Sequence, residues 1–346
     1  MNHSILKFLV VLFLIFVSLT GPVQFASGQE VNALAACEDL AFSTEEDFVT
    51  QGPLPPDGNA IISDGDLLGK NHAVCARNQM LLAHWGTLPD LGLDAVDVLD
   101  TEKGIVLFST ELNDPEDRFT NGDLLSLTGI VIPNSALLIQ FDLAMDLGLD
   151  ALHMTGDSAA IAGFLNDVQQ IPRETWLAQP TLLTDYLTEY SIDIWFSTEA
   201  TAPDKSVVPF LDGDLLSART GTVVMSQDQM LSVPIPAGLP NRGVDFGLDG
   251  VTSTRSEEPD NILFSTEILF REALAFTDGD ILMLGGTIVT PHHDLVNPFE
   301  PAADFLGIDA FFQAQDGSDT SEPETPDLPN QGLGEHQTFL PIVTKK

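Results

Sequence analysis

The chain has 346 residues, of which 44% are hydrophobic, and a formal net charge of −39 at pH 7. The hydrophobic share is ample for a packed core. The negative charge repels phosphate backbones and anionic lipid, which argues against a nucleic-acid-binding function and makes cations the natural counterpart. Solubility outside the cell explains the same charge, so acidity alone does not establish a specific cation site.

The N-terminal residues 1–28 have the pattern of a secretory signal peptide. A basic residue precedes an apolar run over 8–17, and small residues at 26–28 form a cleavage site. The run is too short for a good membrane span, so we expect a secreted or cell-surface protein without a transmembrane span in the mature chain. The alternative is a lipobox at 34–37 that would acylate Cys37, but a polar stretch separates it from the apolar run.

The only two cysteines of the sequence, Cys37 and Cys75, both fall in the first repeat described below. An even count in an exported chain favours a disulfide, which would close a loop across this terminal unit. Two unrelated buried thiols are the alternative.

Three short phrases each recur four times along the chain. Phe-Ser-Thr-Glu occurs at 42–45, 108–111, 196–199 and 264–267; Asp/Asn-Gly-Asp-Leu/Ile-Leu at 64–68, 121–125, 212–216 and 278–282; Gly-Leu/Ile-Asp-Ala/Gly at 92–95, 148–151, 247–250 and 307–310. Such a period indicates an array of one supersecondary unit. We expect a four-repeat β domain over 29–315, with repeats at about 37–93, 94–149, 150–248 and 249–309.

The second repeat illustrates the strands that each unit contains. Residues 94–99 alternate apolar and polar side chains, as in a half-buried strand, and 104–109 form a short apolar run. An Asn-Gly turn signal introduces a third strand at 123–127, and a fourth begins at 130–132. Four short antiparallel strands in each repeat are typical of propeller blades.

The order of the phrases favours a closed ring. The repeats begin at Phe-Ser-Thr-Glu without a Gly-Leu-Asp strand before it, and they end on such a strand at 308–312. The last strand can therefore complete the first repeat and remove the two free edges of an open array. We predict an all-β closed four-repeat ring, a four-bladed β-propeller with a small helical insertion; an open β-repeat array or a sandwich is the alternative.

The third repeat is longer than the others because of an insertion at 155–190, whose apolar residues recur at helical spacing. Both tyrosines of the chain, Tyr186 and Tyr190, lie in it together with Trp176. Insertions in repeat proteins often lie on the binding face, so these aromatics are candidate contacts for an extracellular protein or carbohydrate. Packing of the insertion onto the ring is the alternative.

Two sets of repeated acidic residues are candidate ligands for a hard cation such as Ca²⁺, which binds about six to eight oxygens. The glycine turns contribute Asp64, Asp66, Asp123, Asp212, Asp214, Asp278 and Asp280, and the Phe-Ser-Thr-Glu phrases contribute Glu45, Glu111, Glu199 and Glu267. Four glutamates related by rotation would form a ring of carboxylates. The alternatives are tight turns that use Asp and Gly for backbone geometry, and glutamates that are merely solvated.

The aspartates of the third phrase receive a different interpretation. Each follows a glycine and precedes a small residue, which suggests a tightly packed turn whose carboxylate caps backbone amides. This set is Asp94, Asp150, Asp249 and Asp309. The sequence contains no zinc-ligand spacing, nucleophile elbow, phosphate loop or dinucleotide fingerprint, so we assign no catalytic residue and no cofactor besides Ca²⁺.

After the repeats, residues 316–335 have the composition of an acidic flexible linker, and 336–346 form a short apolar tag that ends in two lysines. The repeat phrases resemble those of an uncharacterised family of exported bacterial proteins, which implies a propeller-like fold but no activity. The tag resembles a C-terminal segment of some bacterial secreted proteins, which implies export or surface attachment.

The sequence as a whole predicts a non-enzymatic binding or structural module, secreted or at the cell surface, with Ca²⁺ as its candidate stabiliser. The alternative, from a different class, is a secreted propeller hydrolase that uses central carboxylates together with a metal.

Overall fold

The computed structural model describes residues 33–86, 88–203, 205–231, 245–256, 258–259, 261–271, 275–301 and 306–315. The predicted signal peptide, acidic linker and C-terminal tag lie outside the described residues. Among the helices of the described ranges, none is long and apolar enough to span a bilayer.

Most strands belong to four antiparallel sheets, each with four strands. The first sheet contains, in spatial order, β20 (Phe311–Gln313), β1 (Leu40–Phe42), β4 (Leu67–Gly69) and β5 (Ala73–Ala76); the second, β6 (Val96–Asp100), β7 (Ile105–Phe108), β8 (Leu124–Ser126) and β9 (Val131–Ile132). The third contains β10 (Leu152–Thr155), β11 (Asp193–Phe196), β12 (Leu215–Ser217) and β13 (Thr222–Met225); the fourth, β14 (Gly250–Thr252), β15 (Leu263–Ser265), β18 (Ile281–Met283) and β19 (Thr287–Thr290). Two short pairs join β2 (Phe48–Val49) to β3 (Ile61–Ile62) and β16 (Phe270–Arg271) to β17 (Ala275–Phe276). The chain is therefore mostly β, in several small antiparallel sheets.

Helices are more frequent than an all-β description allows. A short helix follows the outer strand of each four-stranded sheet: α1 (Asn78–Leu81), α2 (Asn134–Leu137), α6 (Gln227–Met230) and α7 (His292–Val296). The insertion of the third repeat forms α3 (Ser158–Val168), α4 (Arg173–Ala178) and α5 (Thr181–Tyr190). The insertion is helical as predicted, whereas the four short helices are a correction to the prediction, since one turn is too short to show a helical period.

Among the described residues, the last strand of the chain pairs with the first. β20 runs antiparallel to β1, with Leu40 opposite Gln313 and Phe42 opposite Phe311. The strands that follow the Gly-Leu-Asp phrases, β20, β6, β10 and β14, are called the inner strands below. β6 contacts β10 and β20, and β14 contacts the same two strands. Each inner strand therefore has two others as neighbours.

A buried ion pair joins the inner strands. Asp97 of β6 is completely buried and accepts hydrogen bonds of 2.6 and 2.8 Å from the guanidinium of Arg255, which follows β14. The same guanidinium donates to the carbonyls of Val98 in β6 and Met154 in β10. It also lies 5.5 Å from the ring centre of Phe312 in β20, a favourable cation–π distance. One arginine thus bridges all four inner strands.

His153 of β10 extends this polar cluster. Its Nε2 lies 2.9 Å from Oγ of Ser253, and its Nδ1 lies 3.7 Å from a carboxylate oxygen of Asp97. Burial lowers the pKa of His153, and the Asp97 carboxylate opposes that shift. Serine, histidine and aspartate occur here in the order of a hydrolase triad, but 3.7 Å exceeds a hydrogen bond, and Asp97 is already paired with Arg255. We interpret the cluster as a brace between sheets.

The two cysteines lie at disulfide-bonding distance, as predicted. Cys37 lies in a 3₁₀ turn before β1, and Cys75 lies in β5, the outer strand of the first sheet. Both side chains are completely buried. The bond ties the segment before β1 to the outer strand of the same sheet.

Candidate metal centre

A cavity of about 510 Å³ is lined by eight acidic side chains. They are Glu45, Asp94, Glu111, Asp150, Glu199, Asp249, Glu267 and Asp309. Each four-stranded sheet contributes the glutamate of one Phe-Ser-Thr-Glu phrase and the aspartate that precedes its inner strand. Every lining residue is acidic, so the wall carries eight negative charges when it is fully ionised.

The Phe-Ser-Thr-Glu phrase builds its part of this wall residue by residue. In the first repeat, Phe42 is completely buried and anchors the phrase in the core. The Ser43 hydroxyl donates 2.9 Å to the carbonyl of Leu93, directly before the cavity aspartate of the next repeat. The Thr44 hydroxyl donates to the carbonyl of Glu46, which holds a tight turn around Glu45. The second and third repeats repeat both hydroxyl contacts.

The glycine of each Gly-Leu/Ile-Asp phrase makes room for a glutamate. These glycines, Gly92, Gly148, Gly247 and Gly307, all have positive φ angles, between 55° and 79°. A Cβ on any of them would lie 2.3 to 2.7 Å from a cavity glutamate. Only glycine tolerates both the backbone conformation and this close approach. The glycine that recurs in each Gly-Leu/Ile-Asp phrase therefore indicates, at the level of sequence, that a glutamate side chain packs directly against this loop.

The second aspartate of each Gly-Asp turn has a structural role, as the turn interpretation expects. Asp214 accepts backbone hydrogen bonds of 2.9 Å from Leu211 and from Gln227, the first residue of α6. Asp66, Asp123 and Asp280 make corresponding contacts in the other repeats. These four aspartates are buried and do not line the cavity.

The first aspartates of the turns also lie outside the cavity lining, although they are near its glutamates. Burial, followed by the Glu111 carboxylate, raises the pKa of Asp64 to about 7. Asp212 contributes to the raised pKa of Glu267, and Asp278 to that of Glu45. The predicted ligand set thus divides into four glutamates on the cavity wall, three aspartates near them and four aspartates inside turns.

The short helices position the loops that carry the cavity aspartates. The amide of Asn134, the first residue of α2, donates 2.8 Å to the carbonyl of Gly148, and its oxygen accepts 2.9 Å from the amide of Leu147. Asn78 makes the same pair of contacts to Leu91 and Gly92. These two helices therefore each fix the Gly-Leu-Asp loop of the following repeat.

Within the described ranges, no backbone amide donates a hydrogen bond to a cavity aspartate, which corrects the sequence interpretation of this set. Asp94, Asp150 and Asp249 are only 5%, 3% and 2% exposed. Several buried oxygens of the wall accept no hydrogen bond from the described part of the chain: Oδ2 of Asp94, Oε1 of Glu111, Oδ2 of Asp150, both carboxylate oxygens of Asp249 and Oδ2 of Asp309. A buried oxygen without a hydrogen-bond donor costs free energy, so the cavity wall is energetically unfavourable when only the protein surrounds it.

Burial raises the pKa of Asp150 and Asp249 well above the usual range of an aspartate, and neighbouring carboxylates raise it further. The pKa of Glu45 and of Glu267 is raised to about 7, mainly by partial burial and also by nearby acidic groups. The closest grouping among the described residues is Asp150, Asp249 and Glu267, whose oxygens lie within 4.8 Å of one another. This spacing suits three ligands of one metal ion.

The raised pKa values predict an inverted pH dependence of stability without divalent cations. Glu45 and Glu267 have an ordinary pKa of 4.5 in the unfolded chain and about 7 in the folded chain, so the folded state binds protons more tightly. Stability therefore falls as the pH rises from about 4.5 to 7. Thermal melting in EDTA is expected to give a higher Tm at pH 5 than at pH 8. A Tm that increases steadily over this range would contradict the electrostatic account.

The aromatic residues of the insertion pack mainly against each other. Trp176 is completely buried, with its ring centre 6.2 Å from that of Tyr186. Phe164 packs edge-on against Tyr186 and Tyr190, and the Tyr190 hydroxyl donates to Asp167. Trp176 is therefore a core residue of the insertion rather than a surface contact, which corrects that prediction. The two tyrosines are half-buried, and their predicted contact with a partner stays a prediction.

No protein-family model, curated protein or solved structure matches this chain. The function is therefore inferred from the geometry and electrostatics of the carboxylate cavity.

Proposed function

We propose that the four sheets are the blades of a closed four-bladed propeller, and that the carboxylate cavity on its axis binds Ca²⁺. The pairing of β20 with β1 supports closure, because the last strand of the described residues completes the sheet that the first strand begins. The contacts of β6 and β14 with both β10 and β20 support a common axis. The repeated glutamates and aspartates then meet at one end of that axis.

The observation that carries the cation site is the set of buried carboxylate oxygens without hydrogen-bond donors. The largest deficit is at Asp249, where both oxygens lack a donor from the described residues. A cation satisfies these oxygens and removes the repulsion among eight acidic groups. The all-oxygen lining favours a hard ion, and a broad cavity suits Ca²⁺, which accepts irregular coordination, better than Mg²⁺, which requires a tight octahedron.

A cation site of this kind favours a binding or structural function, in which the cation stabilises the fold, over a catalytic function. Ca²⁺ would lock the four repeats together at their common axis and so hold the outer surface of the ring in one shape. Extracellular Ca²⁺-binding modules have Kd values of about 10⁻⁴ to 10⁻³ M, which is the affinity range expected here. We therefore infer that the protein is a binding or structural module, either secreted or at the cell surface.

Thermal melting tests this proposal. In Ca²⁺ at about 100 times its Kd, the folded state gains about 2.7 kcal/mol, which raises the Tm by roughly 5 °C relative to EDTA. Asp249→Asn is expected to raise the Tm in EDTA, because it removes one repelling charge, and to reduce the shift caused by Ca²⁺.

The matched control is Asp185→Asn, an equal change of charge at an exposed position of α5. It is expected to leave both melting temperatures and the Ca²⁺ shift unchanged. Equal melting temperatures for the wild-type chain in Ca²⁺ and in EDTA would rule out the proposed function.

A further inference from the structure

We infer that the carboxylate cavity also binds an arginine side chain of a partner protein, which enters from the open end of the cavity and lies beside the Ca²⁺ ion. This inference rests on the proposed function and deepens it, because it names the chemistry of the partner. The ion occupies Asp150, Asp249 and Glu267, and the guanidinium group of the arginine occupies the remaining part of the wall.

The wall keeps buried oxygens without donors after this ion is bound. Among the described residues, the three ligands of the ion are the acidic residues that bring three oxygens within 4.8 Å of one another. Three further oxygens are buried and accept no hydrogen bond from the described part of the chain: Oδ2 of Asp94, Oε1 of Glu111 and Oδ2 of Asp309. A ligand that donates hydrogen bonds is needed to satisfy them.

The charge of the wall selects a cation as this ligand. All eight lining residues are acidic, and one Ca²⁺ ion offsets only two of their charges. Anionic ligands are repelled, whereas water or a neutral polyol donates hydrogen bonds but offsets no charge. A cation with N–H groups does both, and its charge-assisted hydrogen bonds to carboxylates are about twice as strong as neutral ones.

The spacing of the oxygens favours a guanidinium group over an ammonium group. Asp94, Glu111 and Asp309 do not form a second group of three oxygens within 4.8 Å among the described residues, so they are spread more widely than the ligands of one point charge. An ammonium group is a compact point charge with three donors, whereas a guanidinium group spreads five N–H donors over a plane. The guanidinium group is also more weakly hydrated, which lowers the free-energy cost of its entry into the cavity.

The cavity opens to solvent on its glutamate side. Glu45, Glu199 and Glu267 are exposed, whereas Asp94 is only 5% exposed and Asp249 only 2%. The aspartates therefore form the floor of the cavity, and the glutamates form its mouth. A long side chain suits this depth, because the apolar stem of an arginine crosses the mouth while its charged head reaches the floor.

Exposed apolar side chains flank the mouth in the second and fourth sheets. Leu112 directly follows Glu111 and is 57% exposed, and Ile268 directly follows Glu267 and is 47% exposed. Their backbone N–H groups donate 3.0 and 3.2 Å to the residue before the glycine of a Gly-Leu-Asp phrase, so the two residues hold equivalent positions. The partner segment is therefore expected to carry apolar residues on both sides of its arginine.

Peptide binding tests the inference, measured by titration calorimetry on the full mature wild-type chain in CaCl₂. The peptide acetyl-Ala-Leu-Arg-Leu-Ala-amide is expected to bind at least about tenfold more tightly than the same peptide with lysine. A peptide with citrulline, which keeps N–H donors but has no charge, is expected not to bind. Acetyl-arginine amide is expected to bind more weakly than the peptide, because it lacks the flanking leucines.

Two variants locate the binding site. Asp94→Asn removes a carboxylate of the floor, and Leu112→Ser removes an apolar side chain of the mouth. Each is expected to weaken binding of the arginine peptide about tenfold and to retain the Ca²⁺ shift of the Tm, because the three closest ligands of the ion are intact. The control Asp185→Asn is expected to bind the peptide as the wild-type chain does.

The failures of the inference and of the proposed function are distinguishable. No binding of the arginine peptide by a wild-type chain whose Tm rises in Ca²⁺ would overturn the inference but leave the proposed function standing. Equal affinity for the arginine and citrulline peptides would do the same, and this comparison does not depend on the folding of any variant. Equal affinity of Asp94→Asn and Asp185→Asn for the arginine peptide would place binding on the acidic surface at large and overturn the inference. Equal melting temperatures of the wild-type chain in Ca²⁺ and in EDTA would overturn both.

Discussion

Replacement of Arg255 by methionine is expected to destabilise the protein by about 3–5 kcal/mol, because it leaves the Asp97 carboxylate buried without its partner. Asp97 has no solvent exposure, and the guanidinium of Arg255 holds the pKa of this carboxyl well below its usual range. The guanidinium also binds carbonyls of β6 and β10. Its loss therefore weakens the contacts between sheets as well as the ion pair.

Urea unfolding measures the effect, and two further variants identify its cause. Arg255→Met combined with Asp97→Leu removes both charges, so it is expected to be more stable than Arg255→Met alone. Lys103→Met removes the cation of an exposed pair with Asp100 and is expected to leave the free energy of unfolding nearly unchanged, because solvent screens such a pair. A loss below about 1 kcal/mol in Arg255→Met would show that this buried ion pair is not an important brace.

Removal of β20 is expected to abolish cooperative folding. A chain that ends at Gly307 loses the buried side chains of Ile308, Phe311 and Phe312, and it also loses the backbone hydrogen bonds to β1. Burial of each large apolar side chain stabilises a protein by about 1.5–3 kcal/mol, so the combined loss approaches the total stability of a typical domain, about 5–15 kcal/mol. β1 would in addition become an exposed edge strand.

The matched control for this truncation ends at Gln315, so it lacks residues 316–346 but retains β20. Circular dichroism melting is expected to show a sharp transition for the control and a broad one, or none, for the shorter chain. Equal melting curves for the two chains would contradict ring closure by β20, and they would favour an open array of repeats.

The sequence predicts the repeated strands and the glutamate part of the site because both depend on local pattern. Glu45 and its three counterparts follow apolar runs, and their fourfold recurrence predicts a ring of carboxylates if the repeats are related by rotation. From the sequence alone, we assign the cavity aspartates to the capping of backbone amides, because a Gly-x-Asp loop is compatible with that role. Their exposure to a shared cavity depends on four inner strands that meet across long stretches of chain, which no local pattern reveals.

Three other differences between the sequence predictions and the structure also have physical causes. The short helices contain about one turn each, so they show no period, and their first residues are polar side chains that are buried. Asp123 is a candidate metal ligand by sequence, but the structure pairs it with Arg173 of the insertion, at 2.6 Å. Trp176 is a candidate surface contact by sequence because aromatic residues serve both interfaces and cores, and composition does not separate the two.

The most direct test of the cation site is a crystal structure of the mature chain grown in Ca²⁺, with anomalous scattering recorded at long wavelength. An anomalous peak is expected in the carboxylate cavity, about 2.3–2.6 Å from oxygens of Asp150, Asp249 and Glu267. A cavity without an anomalous peak, in crystals that contain excess Ca²⁺, would contradict the account.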